Sequence, residues 1–147
     1  MKPYKKLRAL YYKYEEIVNY LIVGGLTTVV SLASKYALLF TILDAADAVQ
    51  LQISVIISWI LAVAFAYWAN RVFVFKSKDS QILSEIARFV AARVATLLME
   101  AVLLWFFITL LGMNSDFYVI LWTVVTQILI IVGNYVLSKI MVFRKPK

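Results

Sequence analysis

Three charged side chains, Lys35, Arg93 and Glu100, stand inside long apolar stretches of this chain. A charge near the middle of a bilayer costs about 2.5–3.5 kcal/mol on insertion scales, so such residues face a bundle interior or a watery cleft and find partners there. Arg93 and Glu100 are seven positions apart. On a helix that spacing puts them on one face, about 10 Å apart along the axis, with Thr96 between them. Direct contact would need both side chains to bend, so each is expected to meet a partner on another helix or a water. A polar cleft whose cation holds an anionic head group is the chemistry this pattern offers. The structural alternative is an ion pair that locks helices together. Lys35, about six residues before its span ends, can also snorkel outward.

A second group lies where apolar runs give way to charge. Asn70 and Arg71 sit together, and Asn134 precedes Lys139. A cation beside amide donors suits a phosphate arriving from one leaflet. Interfacial cations also anchor helices, and amides cap them, so both readings stand. In the same region Thr123, Gln127, Asn134 and Ser138 follow at spacings of four, seven and four, which is one helical face. Trp59, Trp68, Trp105, Trp122 and Tyr36 fit a belt or core role better than a sugar platform.

Composition removes whole classes of function. The chain has no His and no Cys, so disulfides, thiol chemistry and imidazole-based metal sites are excluded. No phosphate-binding glycine loop of the ATPase kind is present, so nucleotide hydrolysis cannot drive a cycle. No nucleophile–base constellation exists either, which argues against an enzyme. No metal or cofactor is implied. The net charge of +7 does not indicate nucleic acid, because the basic residues cluster at the ends of apolar runs.

These residues need elements to hold them. The chain is 64% hydrophobic over 147 residues, well above a soluble domain of this length. Four apolar spans are expected, at about 18–43, 49–72, 86–111 and 117–138. Asp79 or Ser80 is expected to cap the third helix. Residues 1–17 carry Tyr4, Leu7, Tyr11 and Tyr14 on one helical face and Lys5, Lys6, Arg8 and Lys13 on others, as an interfacial helix on anionic lipid would. No cleavable signal is evident.

The chain also repeats. Tyr67, Arg71, Val74, Phe75 and Lys76 match Tyr135, Lys139, Val142, Phe143 and Arg144, all 68 positions on. Asn19-Tyr20-Leu21 matches Arg88-Phe89-Val90 at an offset of 69. Thirteen of the 15 Lys and Arg lie in the N-terminal segment, the central connection and the C-terminal segment, counting Arg71 and Lys139 at the helix ends and Arg88 near the start of the third span; the other two are Lys35 and Arg93. The positive-inside rule then puts both termini and the central connection in the cytoplasm. The expected fold is an all-α integral membrane protein, with four transmembrane helices arranged as two tandem hairpins forming a parallel repeat. The expected divisions are a basic segment over 1–17, a membrane domain over 18–144 with repeat halves 18–76 and 86–144, and a tail over 145–147.

Asn19 to Thr28, Asn70 to Phe75, Arg88-Phe89-Val90, and Asn134 through Val142-Phe143 together resemble the GtrA-like family over about residues 18–144. The resemblance implies that Gly24, Thr28, Asn70, Arg71, Val74, Phe75, Arg93 and Asn134 are motif positions. The sequence departs from the family pattern at Ser31, often acidic, and at Ser138-Lys139, where a second Asn-Arg is usual. The resemblance further implies plasma-membrane residence and a part in glycosylating surface polymers such as O-antigen or teichoic acid. The family's proposed role is to move a polyprenyl-phosphate-linked sugar from the inner to the outer leaflet. Membrane lipids, glycosyltransferases and, at four spans, a second copy of the chain in a homodimer are the partners such a role suggests. The residues expected to meet the lipid phosphate or substrate are Arg93, Asn70, Arg71, Asn134, Lys139, Glu100, Lys35, Thr28 and Gln127. Two other functions fit the residues: a non-transporting subunit that recruits a glycosyltransferase, and a small-molecule/proton exporter built on Glu100.

Overall fold

The computed structural model describes the backbone of residues 3–143 and the side chains of residues 11–143. Expectations for Tyr4, Lys5, Lys6, Leu7 and Arg8 as side chains, and for Arg144, Lys145 and Lys147, lie outside the described residues. The chain is all-α, with helices α1 (Pro3–Thr41), α2 (Ala48–Ala69), α3 (Ile82–Leu104) and α4 (Asp116–Leu137). No strand occurs among the described residues. Three helices run on into a π-helical turn: α2 into Asn70–Val74, α3 into Trp105–Leu110 and α4 into Ser138–Val142.

Four stretches are long and apolar enough to cross a membrane: Tyr11–Thr41, Ala48–Val74, Ile82–Leu110 and Asp116–Val142. The shortest of them have 27 residues, about 40 Å of helix against about 30 Å of hydrocarbon. The chain is a multi-pass membrane protein. Helix α1 loses helical geometry at Tyr14 (φ −115°, ψ 16°), where the charged segment meets the apolar one. The third span opens at Ile82, and the fourth runs on past α4 through its π-turn to Val142, so both run further than the hydropathy pattern indicates.

The chain divides into two compact units, Met1–Ser77 and Lys78–Lys147. Each is a helical hairpin, α1 with α2 and α3 with α4. In the first, Ser54, Ser58, Ala62, Ala66 and Ala69 form the buried face of α2. Lipid supplies no hydrophobic drive between helices, so close approach of small residues is what lets backbones pack. Tyr20 and Val23 of α1 are buried in the same hairpin. The Ser54 and Ser58 hydroxyls donate to the carbonyls of Leu51 (2.6 Å) and Val55 (2.9 Å), so neither is orphaned. Large residues such as Leu21, Ile56 and Ile60 face outward, as a membrane solvent requires. Asp47 caps α2, accepting from the Val49 (2.8 Å) and Gln50 (3.1 Å) amides. Those bonds, the one from Gln50 foremost, hold its carboxyl below the ordinary value of 3.8.

In the second hairpin, Phe89, Ala92 and Thr96 of α3 and Thr126 and Asn134 of α4 are buried, together with Ser138 and Val142 of the turn that follows. Gly133 brings α4 close to α3: a Cβ there would meet Thr96 Cγ2 at 3.7 Å and Met99 Cε at 3.8 Å. At the other end of this hairpin Phe107 stacks on Trp122 (3.5 Å, 9°), and Trp122 Nε1 donates to Met113 Sδ at 3.1 Å.

A π-turn widens the helix by one residue and is common at functional sites. Here the i→i+5 bonds are Phe75 N to Asn70 O (2.9 Å), Leu111 N to Phe106 O (3.0 Å) and Phe143 N to Ser138 O (2.8 Å). The first and third stand 68 residues apart, the offset of the sequence repeat. Local contacts recur with them. Tyr20 meets Phe75 at 6.5 Å and 58° in one hairpin; Phe89 meets Phe143 at 6.0 Å and 56° in the other. Two turns end on a left-handed residue, Lys76 (φ 49°) and Gly112 (φ 68°). Gly112 adopts this freely, whereas a residue with a Cβ is strained there.

The connection between the hairpins differs from expectation. Gln81 stands at the N-cap of α3 without a side-chain bond. Asp79 instead closes a turn by accepting from the Gln81 amide (2.9 Å), and its other oxygen accepts from Arg88 at 3.2 Å. Asp79 stands two residues before the N-cap position, so its carboxylate closes the turn ahead of the helix and pairs with Arg88.

Candidate functional site

The second hairpin concentrates the polar residues that the sequence places in apolar spans. Arg93 lies eleven residues into α3, about 16 Å along the axis. That is deeper than the sequence pattern suggests, because the helix starts at Ile82. Its guanidinium carbon sits 4.7 Å from the centre of the Phe89 ring, one turn back on the same helix. Phe89 is itself fully buried, so the cation rests on a fixed π face. Among the described residues Arg93 has no carboxylate partner. The ring steadies the guanidinium while its five N–H donors stay available for an incoming acceptor.

One turn on, Thr96 Oγ1 lies 2.9 Å from Asn134 Oδ1 of α4, and both residues are buried. The Thr96 hydroxyl also lies within reach of the Ala92 (3.2 Å) and Arg93 (3.0 Å) carbonyls. A hydroxyl both donates and accepts, so the pair is satisfied with either orientation of the amide. A further turn on, Gln127 Nε2 donates to Glu100 Oε1 at 2.6 Å. Glu100 therefore has the cross-helix partner the sequence called for, whereas Arg93 rests on its own helix. Together Arg93, the Thr96–Asn134 pair and the Glu100–Gln127 pair make a column of polar groups climbing one hairpin. Lys139, in the π-turn after α4, stays exposed and donates to Tyr135 OH at 3.2 Å, with its ammonium 5.5 Å from that ring's centre.

The first hairpin holds the other expected residues in a different manner. Asn70 is 2% exposed; its Nδ2 donates to the Ala66 carbonyl at 2.7 Å, and its Oδ1 is buried with no hydrogen-bond partner. A buried open acceptor costs about 1–3 kcal/mol, so this position would gain from a donor brought by a ligand or water. Arg71 donates from Nη1 to Tyr67 OH at 3.1 Å, the counterpart of Lys139 on Tyr135. Thr28 is exposed, and its hydroxyl turns back to the Gly24 carbonyl at 3.2 Å. Lys35 is half-buried, without a hydrogen bond or ion pair among the described residues. Thr28 and Lys35 are not brought to the polar pairs of their hairpin.

Sequence reasoning passed over three residues. Glu85 is wholly buried in the first turn of α3. Arg88, noted only for the repeat, pairs with Asp79, also reaches the Val142 carbonyl (3.4 Å) and has a buried Nε with no partner. Phe89 is the platform for Arg93. The available signals were an acid in a first helical turn, where the macrodipole favours it, and an aromatic four residues before a cation.

Four helices long and apolar enough to cross a membrane, paired as two hairpins with buried amides inside them, define a small multi-pass membrane protein. The model of the GtrA/DPMS transmembrane domain matches residues 19–143, and the chain belongs to this family. Among relatives, an uncharacterised membrane protein YwcD of Bacillus subtilis is 34% identical over 131 residues, covering 87% of this chain and 96% of its own. The cell wall teichoic acid glycosylation protein GtcA of Listeria monocytogenes serovar 1/2a is 28% identical over 135 residues, covering 89% and 86%. A Listeria monocytogenes protein of the same name is 31% identical over 137 residues, with the same coverage. No solved structure matches.

Proposed function

We propose that this chain serves the glycosylation of a cell-wall polymer such as teichoic acid by translocating a polyprenyl-phosphate-linked monosaccharide from the inner to the outer leaflet. The family and the relatives called teichoic acid glycosylation proteins support the broader role. The observation that carries the finer one is Arg93: a guanidinium about 16 Å into α3, mounted on Phe89 and without a carboxylate partner among the described residues. A phosphate crossing apolar territory loses its hydration, and a forked cation part-way lowers that cost. Asn134 and Gln127 then offer hydrogen bonds to sugar hydroxyls or to the phosphate, and the Glu100 carboxylate accepts from sugar hydroxyls, with Asn70, Arg71 and Lys139 receiving the head group at the charged ends. Lys35 and Thr28 have peripheral parts in this reading.

The charge distribution supports termini and central connection on the cytoplasmic side, with the two hairpins as parallel repeats. No nucleotide motif is present, so movement runs downhill, pulled by sugar consumption outside, or is coupled to an ion at Glu100. Membrane glycosyltransferases on either side are the functional partners, and two copies of the chain would give the lipid path thicker walls. The Glu100–Gln127 pair favours one other reading, a proton-coupled exporter of small molecules. Reconstitution into liposomes with a short-chain, water-soluble polyprenyl-phosphate sugar separates the two. A translocase moves the analogue and depends on Arg93; an exporter ignores the analogue and depends on Glu100.

A further inference from the structure

The first hairpin contains a groove of about 360 Å³, lined by Glu15, Asn19, Ile22, Val23, Leu26, Val72, Phe73 and Lys76, within the range of ligand pockets. Its two ends differ. At one, Lys76 Nζ donates to Glu15 Oε1 at 3.1 Å, with the lysine largely exposed and the carboxylate less so. One turn further along α1, the Asn19 Oδ1 accepts from Tyr11 OH at 3.4 Å, which leaves the Asn19 amide N–H groups able to donate. Beyond that the lining is entirely apolar. Ile22 and Leu26 continue the same face of α1, and Val72 and Phe73 come from the π-turn after α2. From Glu15 to Leu26 the groove climbs about 16 Å into the span.

A polar mouth with a cation and an amide, opening onto an apolar ramp, is complementary to an amphiphile with an anionic head and a hydrocarbon tail. The left-handed backbone at Lys76 turns the chain back at the end of α2, where its ammonium reaches α1. The ion pair is solvent-exposed, and such pairs are worth only about 0–1 kcal/mol, so a phosphate can displace the carboxylate. We propose that this groove is the loading site for the polyprenyl phosphate lipid, with Lys76 as its phosphate ligand and Glu15 as a competing carboxylate that takes the lysine back on release. The proposal rests on the lipid-phosphate reading of the chain, but it concerns capture before any crossing.

The test uses the full chain in phosphatidylcholine nanodiscs and a geranylgeranyl phosphate carrying a diazirine on its tail, with labelled peptides mapped. Labelling is expected on the Ile22–Leu26 and Val72–Phe73 peptides. Lys76→Ala should reduce it about tenfold and Lys76→Arg should keep most of it. Glu15→Gln should raise it about threefold, because the competitor is removed. Lys78→Ala, a cation of the same connection that does not line the groove, should leave it unchanged, which separates loss of the phosphate ligand from loss of surface charge; the translocation rate of the Arg93 variants, measured apart, tests the crossing. Equal loss in Lys76→Ala and Glu15→Gln would mean that the ion pair only holds the hairpin together, and would overturn the assignment. Unchanged labelling in Lys76→Ala, or equal competition by dioleoylphosphatidylglycerol, would overturn it as well.

Discussion

Asn134 and Thr96 form one hydrogen-bonded pair, yet removing either partner should have different consequences. In Asn134→Ala, the Thr96 hydroxyl loses the amide at 2.9 Å but retains the Ala92 and Arg93 carbonyls at 3.2 and 3.0 Å. Nothing is left orphaned. Side-chain hydrogen bonds between membrane helices average about 0.6 kcal/mol, so the loss should be near 1 kcal/mol once the shortened side chain is included. In Thr96→Val, the Asn134 amide is left without its partner at a position only 9% exposed, a loss of about 1–3 kcal/mol. Thr96→Val should therefore be the more destabilising of the two, although Thr96 has the smaller polar group. Reversible unfolding by dodecyl sulfate in mixed micelles measures both. Function should rank them the other way if Asn134 contacts the lipid-linked sugar: Asn134→Ala abolishes surface glycosylation at normal protein level, and Thr96→Val keeps a reduced activity in proportion to its abundance. Greater instability in Asn134→Ala than in Thr96→Val would refute the reasoning, since it would make the amide a structural strut.

Gly133→Ala should be tolerated, because its Cβ meets Thr96 and Met99 at ordinary contact distance, whereas Gly133→Leu should separate α3 from α4 and reduce the amount of folded protein in the membrane. The Asp47 carboxylate is held below its ordinary 3.8 by the Gln50 and Val49 amides. A depressed folded value means that its stabilisation is present above 3.8 and is lost as pH falls through the lowered value, so amide exchange at Val49 and Gln50 should accelerate below about pH 3.8 in wild type but not in Asp47→Asn. Reporter fusions after Lys78 should read cytoplasm and those at Asp47 and Ser115 the outside; an outside reading at Lys78 would remove the parallel-repeat topology.

Much of this architecture is written in residue type. Four apolar runs separated by Asp44–Asp47, Lys76–Ser80 and Gly112–Asp116 gave the helices and their turns, because in lipid the backbone has few alternatives. Of the polar face read on α4, Asn134 and Ser138 are buried, whereas Thr123 and Gln127 are exposed. What escaped was set by tertiary competition. Asp79 falls two residues short of the N-cap of α3 and pairs with Arg88 instead. The π-turns are not visible in hydropathy, since one inserted residue changes register rather than composition. The sequence leads one to expect a partner for Arg93 on another helix or a water, and the contact it makes is with the Phe89 ring on its own helix. Spacing along one helix shows which residues share a face; it does not show which of several neighbours a long side chain will choose.

The central claim is that Arg93 holds the lipid phosphate during crossing. It is tested most directly by the initial rate at which reconstituted Arg93→Ala translocates the water-soluble polyprenyl-phosphate sugar, at matched protein level and beside Arg93→Lys and Arg93→Ala with Glu100→Ala. The account expects no translocation from Arg93→Ala, no rescue by the second substitution, and a small residual rate from Arg93→Lys, whose ammonium keeps the charge but cannot fork two phosphate oxygens. A wild-type rate from Arg93→Ala, or recovery in the double variant, would contradict it.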